Sequence, residues 1–343
     1  MIEVAILFVL AFLWVLFAAI SDVKTKEIPN WLNFSLVIFA LAFRYLYSFF
    51  SGDGSGFLVA GMFGIFGILI FISFFDSSFR TKSGEIAGFF AASLFFMVFI
   101  WIYLSNPTIL SGPGFSFFYE GLMGLGIFFL IGNLLNYGRA FAGGDAKLMV
   151  SFGAVLPIFP SILQNLEFMF FFIMIFLISG SLYGILMSLY LSLKNFKSFK
   201  GRFLKLFFEK KFLIIIFDIF AVIFIFMGLN DPFFAYLGIF VFIFPYFYLF
   251  LESVDESCMI KKVSVSALTP GDWLYRDVKV GGKTIKASWD GLSEEEIKTL
   301  KKKKQVFVRR GLAFAPVFLI SLITLILSYV IGFFQYFSKI IGI

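Results

Sequence analysis

Histidine is absent from the 343-residue chain, and Cys258 is its single cysteine. Without imidazole, Ser–His and Cys–His nucleophile activation and every histidine metal site are excluded. One thiol makes neither an internal disulfide nor a Cys-x-x-Cys zinc site. Charge is scarce as well: 14% of residues are charged against 61% hydrophobic, with a mean hydropathy of +0.99. So apolar a chain reads as an α-helical polytopic membrane protein rather than a soluble globule. Carboxylates, lysines and tyrosines remain for proton transfer, and the inventory implies no metal or organic cofactor. The net charge of +7 sits in loops beside apolar runs. It is therefore read as an orientation signal, with membrane lipid as the partner and no nucleic acid.

At ~20 apolar residues per crossing, the chain yields about ten transmembrane helices. The first covers residues 1–20 and ends in charges rather than in a small-residue cleavage site, so it is read as a retained span. The others fall near residues 31–49, 57–75, 86–104, 118–137, 146–157, 168–193, 212–228, 233–251 and 311–334. If Lys24 and Lys26 are cytoplasmic, strict alternation places Arg80, Arg139, the 194–211 loop and the lysine-rich region before the last helix on that same face. The turn at Gly52-Asp53, the chargeless link after Ser105 and the turn at Asn230-Asp231 fall on the other, as the positive-inside rule expects. The chain thus divides into a membrane domain, 1–251, a small soluble cytoplasmic α+β insert, 252–310, and a last transmembrane helix, 311–343. Within the insert, Val278 to Ile285 reads as a hairpin turning at Gly281-Gly282, Ser293 and Glu296 as a capping box, and Gln305 to Val308 as a strand. The run Lys301 to Lys304 reads as a lipid anchor. Phe196, Phe199, Phe203 and Phe207 recur at helical spacing among bases, the pattern of a helix lying on an anionic membrane surface. Glu120 and Glu167 fall near outer span ends and read as interfacial.

The stretch with chemistry in it is Ala142-Gly143-Gly144-Asp145-Ala146-Lys147-Leu148. Two glycines permit a tight turn and a close backbone approach, and the carboxylate after them stands where a helix begins. One carboxylate does little hydrolysis alone. Its partner is Asp22, at the end of the first apolar run and on the same expected face. An aspartate before a helix is ordinarily a cap, so the pair draws its weight from the two occurring together. Asp218 competes, because an ionisable residue inside a span is a functional candidate by default; the favoured reading has it hydrogen-bonding a neighbouring span.

Asp22 followed by bases and Ile28-Pro29-Asn30, then Gly143-Gly144-Asp145-Ala146-Lys147-Leu148, resembles the archaeal type IV prepilin and preflagellin peptidases, membrane aspartyl proteases of the GxGD group. Gly271-Asp272, Asp290-Gly291-Leu292-Ser293 and Arg310-Gly311-Leu312-Ala313-Phe314-Ala315-Pro316 resemble that group's soluble insert and proline-containing last helix. Ala142 departs from the motif's first glycine, and the length suggests a pilin-type member. The resemblance implies an aspartic endopeptidase in the cell membrane that removes the short basic class III signal peptide from type IV pilin-like or archaellin precursors. Asp22 and Asp145 would be catalytic, sharing one proton. Gly143 and Gly144 would admit an extended substrate backbone, while Lys147 would steady Asp145 or snorkel to the interface. Pro316 would break the last helix near the site or mark its first turn, and Asp218 could bind the substrate's amino terminus. Two rival classes use the same residues differently. An ion- or proton-coupled transporter would relay charge through Asp22, Asp145 and Asp218 and predicts internal repeats, of which the sequence has none. A non-catalytic pilus-assembly protein would need no aspartate pair.

Overall fold

The computed structural model describes residues 2–51, 57–75, 82–105, 115–288 and 291–341. The Gly52-Asp53 turn, the Arg80 loop, most of the link after Ser105, and Asp290 lie outside the described residues. Two compact units make up the chain, Met1–Ser181 with Ala313–Ile343, and Leu182–Leu312.

The first unit is helical. It contains α1 (Ile2–Thr25), α2 (Asn30–Ser51), α3 (Phe57–Phe75), α4 (Lys82–Ser105), α5 (Ser116–Tyr137), α6 (Gly143–Gly153), the first part of α7 (Ile162–Lys194), α12 (Ala315–Val330) and α13 (Phe333–Ile341). Helix α6 packs along α5 and α2, and α12 packs along α1. Two glycines set the first of these contacts: a Cβ on Gly124 would strike the carbonyl oxygen of Gly153, and one on Gly153 the carbonyl of Gly124. Among the described residues, α1, α2, α5, α7 and the helix Pro232–Met259 are long and apolar enough to cross a bilayer, and the pair α12–α13, bent by 85°, makes a sixth if counted as one.

The expected spans at 57–75, 86–104 and 212–228 form helices that fall outside that count, and two further spans differ in form. Helix α6 has 11 residues, which at 1.5 Å per residue gives ~16 Å, about half the hydrocarbon thickness. The chain then unwinds ahead of Pro157 and Pro160 and stays irregular until α7. The freed carbonyls are taken up by Arg44, a fully buried side chain in the middle of α2. Its Nε donates to Ala154 O at 2.8 Å, Nη1 to Phe117 O at 2.7 Å, and Nη2 to Val155 O at 2.9 Å and also to Pro157 O. The last span, in turn, breaks at its far end, where Gly332 takes a φ of +77°. Pro316 does not break it; it lies in the first turn of α12, where a missing N–H is harmless. Glu120 is also not interfacial, being 1% exposed inside the bundle. Glu167, by contrast, accepts a hydrogen bond from Ser338 Oγ at 2.9 Å.

The second unit contains the rest of α7, then α8 (Phe196–Glu209), α9 (Lys211–Met227) and α10 (Pro232–Val254), followed by the insert. Strands β1 (Ile260–Ser264), β5 (Gln305–Arg309) and β2 (Trp273–Leu274) form an antiparallel sheet in the order β1-β5-β2, with Ile260 opposite Arg309. Strands β3 (Val278–Val280) and β4 (Lys283–Ile285) form the hairpin, turning on Gly281 and Gly282, both at positive φ. The capping box opens α11 (Glu294–Leu300). Val265, Leu274, Val280, Ile285, Leu300 and Val308 share one apolar core. Helix α8 corrects the surface-helix reading in detail. Phe203 and Phe207 pack with Leu206, Ile214, Leu249 and Tyr246, and Phe199 meets Phe250, so this face is covered by protein. Phe196, Leu204 and Phe208 are the exposed apolar residues.

Candidate active site

Asp22 lies in the last turn of α1, 6% exposed. Its Oδ2 accepts the backbone N–H of Ala315, the first residue of α12, at 2.8 Å. The carbonyl of Asp22 accepts the N–H of Lys26 at 2.9 Å, and Lys26 closes α1 in a left-handed conformation, φ +62°. Arg139 closes α5 in the same way at φ +60°. Left-handed non-glycine residues are uncommon and cluster where function constrains the backbone; here Lys26 stands just past the helix end that bears Asp22, and Arg139 just before the segment that bears Asp145.

Asp145 is the third residue of α6, with Ala142 extended ahead of it as the cap position. Carboxylates are favoured in a first helical turn because they face unpaired N–H groups. Burial, and after it the neighbouring Asp22 charge, nevertheless push the Asp145 carboxyl up to about 7, against a backbone hydrogen bond at Ala142 that acts in the opposite direction. Two carboxylates remote in sequence are therefore within electrostatic reach of one another. Phe141, which ends the turn before α6, packs on Phe176, Phe314 and Phe318. Phe314 immediately precedes the Ala315 donor, so one aromatic cluster braces both the Asp145 turn and the start of α12.

The remaining candidates fall out as follows. Neither Gly143 nor Gly144 adopts a positive φ, so the tight-turn reason for two glycines does not hold. Space does: a Cβ on Gly143 would meet nothing within 4 Å, and one on Gly144 would make ordinary contact with Ile28 at 3.5 Å. Lys147 Nζ donates to Asn30 Oδ1 at 2.7 Å, tying α6 to the first residue of α2. Ser151 Oγ, one turn on, reaches Asn33 O at 3.2 Å. Asp218 belongs to the second unit, where Tyr246 Oη donates to its Oδ2 at 3.0 Å, a bond between neighbouring helices α9 and α10.

Sequence reading missed Arg44, the Ala315 N–H and Phe141. An arginine inside the apolar run 31–49 is itself a signal. A backbone donor has no sequence signature.

Residues 9–89 match the family model of the type IV leader peptidase family. The matched region takes in α1, α2, α3 and the start of α4, and with them Asp22. No curated protein and no solved structure matches the chain. The match, together with the apolar helices, supports a multi-pass membrane protein of leader-peptidase-like activity.

Proposed function

We propose that the chain is a membrane aspartyl endopeptidase that removes the short basic leader from type IV pilin-like or archaellin precursors at the cytoplasmic membrane face, with Asp22 and Asp145 as the catalytic pair. The observation that carries this reading is the convergence of the two carboxyls, one held by Ala315 N–H and the other buried within reach of its charge. The match over residues 9–89 supports the same class of enzyme from independent grounds. A leader cut just before an apolar helix presents its scissile bond where lipid meets water, which suits a pair placed at a helix end rather than at mid-depth. The open space over Gly143 fits an extended substrate strand passing the start of α6.

The chemistry needs no group beyond the pair. One carboxylate takes a proton from water as the hydroxyl oxygen adds to the scissile carbonyl carbon; the other, as an acid, gives its proton to the carbonyl oxygen. Co-expression with a tagged pilin precursor in membranes tests this. Asp22→Asn and Asp145→Asn should each lower cleavage by at least ~10²-fold, the size of effect seen when an acid–base group is removed. Asp218→Asn should leave it within a few-fold, and amino-terminal sequencing of the product should give a cut immediately before the apolar helix. Cleavage persisting in both single variants would end the proposal.

A further inference from the structure

Helix α8 has two faces that mix apolar and basic residues, and protein closes only one of them. On the closed face Phe199 meets Phe250, and Phe203 and Phe207 pack with Leu249 and Tyr246. The bases beside them are paired, Arg202 with Glu256 and Lys210 with Glu252. These partners stand in the last turns of α10 and in the π-helical turn Asp255–Met259 that follows, where a helix long and apolar enough to cross a bilayer gives way to acidic residues. Helix α8 therefore lies beside the end of a span, at the depth where hydrocarbon yields to headgroups. At ~100° per residue the opposite sector runs through Lys200, Leu204, Lys197, Phe208, Gly201 and Lys205, and all six are exposed. Phe208 is 66% exposed. Among the described residues Lys197 and Lys200 make no ion pair, and Lys205 has only the open i,i+4 contact with Glu209 at 3.8 Å. The inward bases are thus neutralised by the protein, and the outward ones are left for something else.

We propose that the outer sector of α8 is a docking surface for anionic lipid: Leu204 and Phe208 enter the acyl boundary, and the ammonium groups of Lys197, Lys200 and Lys205 hold phosphate-bearing headgroups. An apolar stripe inserts below the headgroups while lysine stems extend their charge back to them. Charge selects this occupant over the others the surface could meet. The short basic leader of a precursor would be repelled by the three lysines. A second copy related by a two-fold axis would set the same lysine sector against itself. An anionic lipid layer takes up both the charge and the apolar stripe. The surface belongs to the second unit and shares no residue with the Asp22–Asp145 chemistry, so it stands without the peptidase reading. Its effect is mechanical: strand β1 leaves directly from the π-helical turn to which Arg202 is paired, so lipid held by α8 fixes the corner from which the insert springs.

The full-length chain offers a clean probe position. Gly201 lies inside the sector, and a Cβ there would meet nothing within 4 Å. In a Cys258→Ser background, which removes the single native thiol, Gly201→Cys carries a nitroxide or a fluorophore while Leu204, Phe208 and the lysines stay in place. The protein is reconstituted in vesicles of phosphatidylcholine, alone or mixed with phosphatidylglycerol. The nitroxide should be relaxed by oxygen, which dissolves in the acyl layer, more than by a water-soluble nickel chelate. The fluorophore should be quenched by headgroup-labelled phosphatidylglycerol several-fold more than by headgroup-labelled phosphatidylcholine, each lysine near an anionic surface being worth up to about fivefold. Replacing Lys197, Lys200 and Lys205 together by Gln should bring that ratio close to one, and so should high salt. A probe open to nickel and not to oxygen would place the sector in water, and one closed to both would place it against protein; either result would overturn the proposal. Equal quenching by the two lipids in the parent would overturn it as well, since the lysines would then choose no headgroup.

Discussion

Asp145 answers two opposed demands, since the first turn of a helix favours its charge while burial and Asp22 oppose it. An ordinary aspartate titrates near 3.8, and in the folded chain this one is pushed up to about 7. The folded state therefore binds the proton more tightly than the unfolded chain does. Linkage then fixes the sign: stability falls as pH rises from about 4 to about 7 and is level on either side. Asp145→Asn, which cannot ionise, should escape that loss. Its melting temperature should exceed that of the parent above pH 7, by an amount worth on the order of ~2 kcal/mol after screening at the open side of the residue, and the gap should close toward pH 4. Thermal unfolding in detergent across that range measures it, and equal melting curves at high pH would show that the carboxyl is not strained. A residue kept at the expense of stability is what a functional site requires, and the same substitution is expected to abolish cleavage.

Helix α6 carries Asp145 at one end and hands its unpaired carbonyls to Arg44 at the other. Arg44→Met would leave the oxygens of Phe117, Ala154, Val155 and Pro157 without their shared donor. At ~1–3 kcal/mol for each buried group left unpaired, and with some relaxation, the expected destabilisation is at least ~3 kcal/mol. Arg44→Lys should recover part of it, because one ammonium cannot reproduce the planar fork. Thermal unfolding of both variants checks the order, and a Met variant as stable as the parent would remove Arg44 from its role. The helices announced by long apolar runs, α1, α2, α7 and α10, were legible in the sequence because hydrophobic length alone decides them. The shortness of α6 was legible too, in the bounds 146–157, but its apolar character led it to be counted as a crossing that its length does not allow. It ends ahead of Pro157 and Pro160, and the carbonyls so freed are taken by an arginine from another helix, a partner about which a periodicity argument carries no information. In α8 the phenylalanine spacing indicated a helix correctly but could not say whether lipid or α10 would cover that face.

At the scale of the molecule, every residue named in the Asp22–Asp145 arrangement, including the Ala315 donor, the Phe141 cluster and Arg44, belongs to the first unit. The pairing of Asp22 with Asp145 was readable as a hypothesis from two segments at the ends of apolar runs; the donor that holds Asp22 arrives from the far end of the chain and was not. The insert was legible through its local signals, the Gly281-Gly282 hairpin and the Ser293 cap, whereas β1 and β2 were missed because their partner β5 lies tens of residues away. Its geometry makes removal feasible: Ile260 and Arg309 are opposed in the sheet, so the chain enters and leaves the insert at adjacent strand ends. Adjacent antiparallel strands are ~5 Å apart, a gap that a few glycine and serine residues bridge. A variant with 261–308 replaced by such a link should therefore still reach the membrane. If the pair and its supports suffice for the chemistry, the variant should cleave a tagged precursor with kcat within about tenfold of the full chain, one decade being ~1.4 kcal/mol of barrier. A rise in KM alone would assign the insert to substrate capture. Abolished cleavage by a variant that reaches the membrane and keeps the parent's pH dependence of thermal unfolding would show that the insert supplies a group the reaction needs, and the active site would then have to be redrawn to include it.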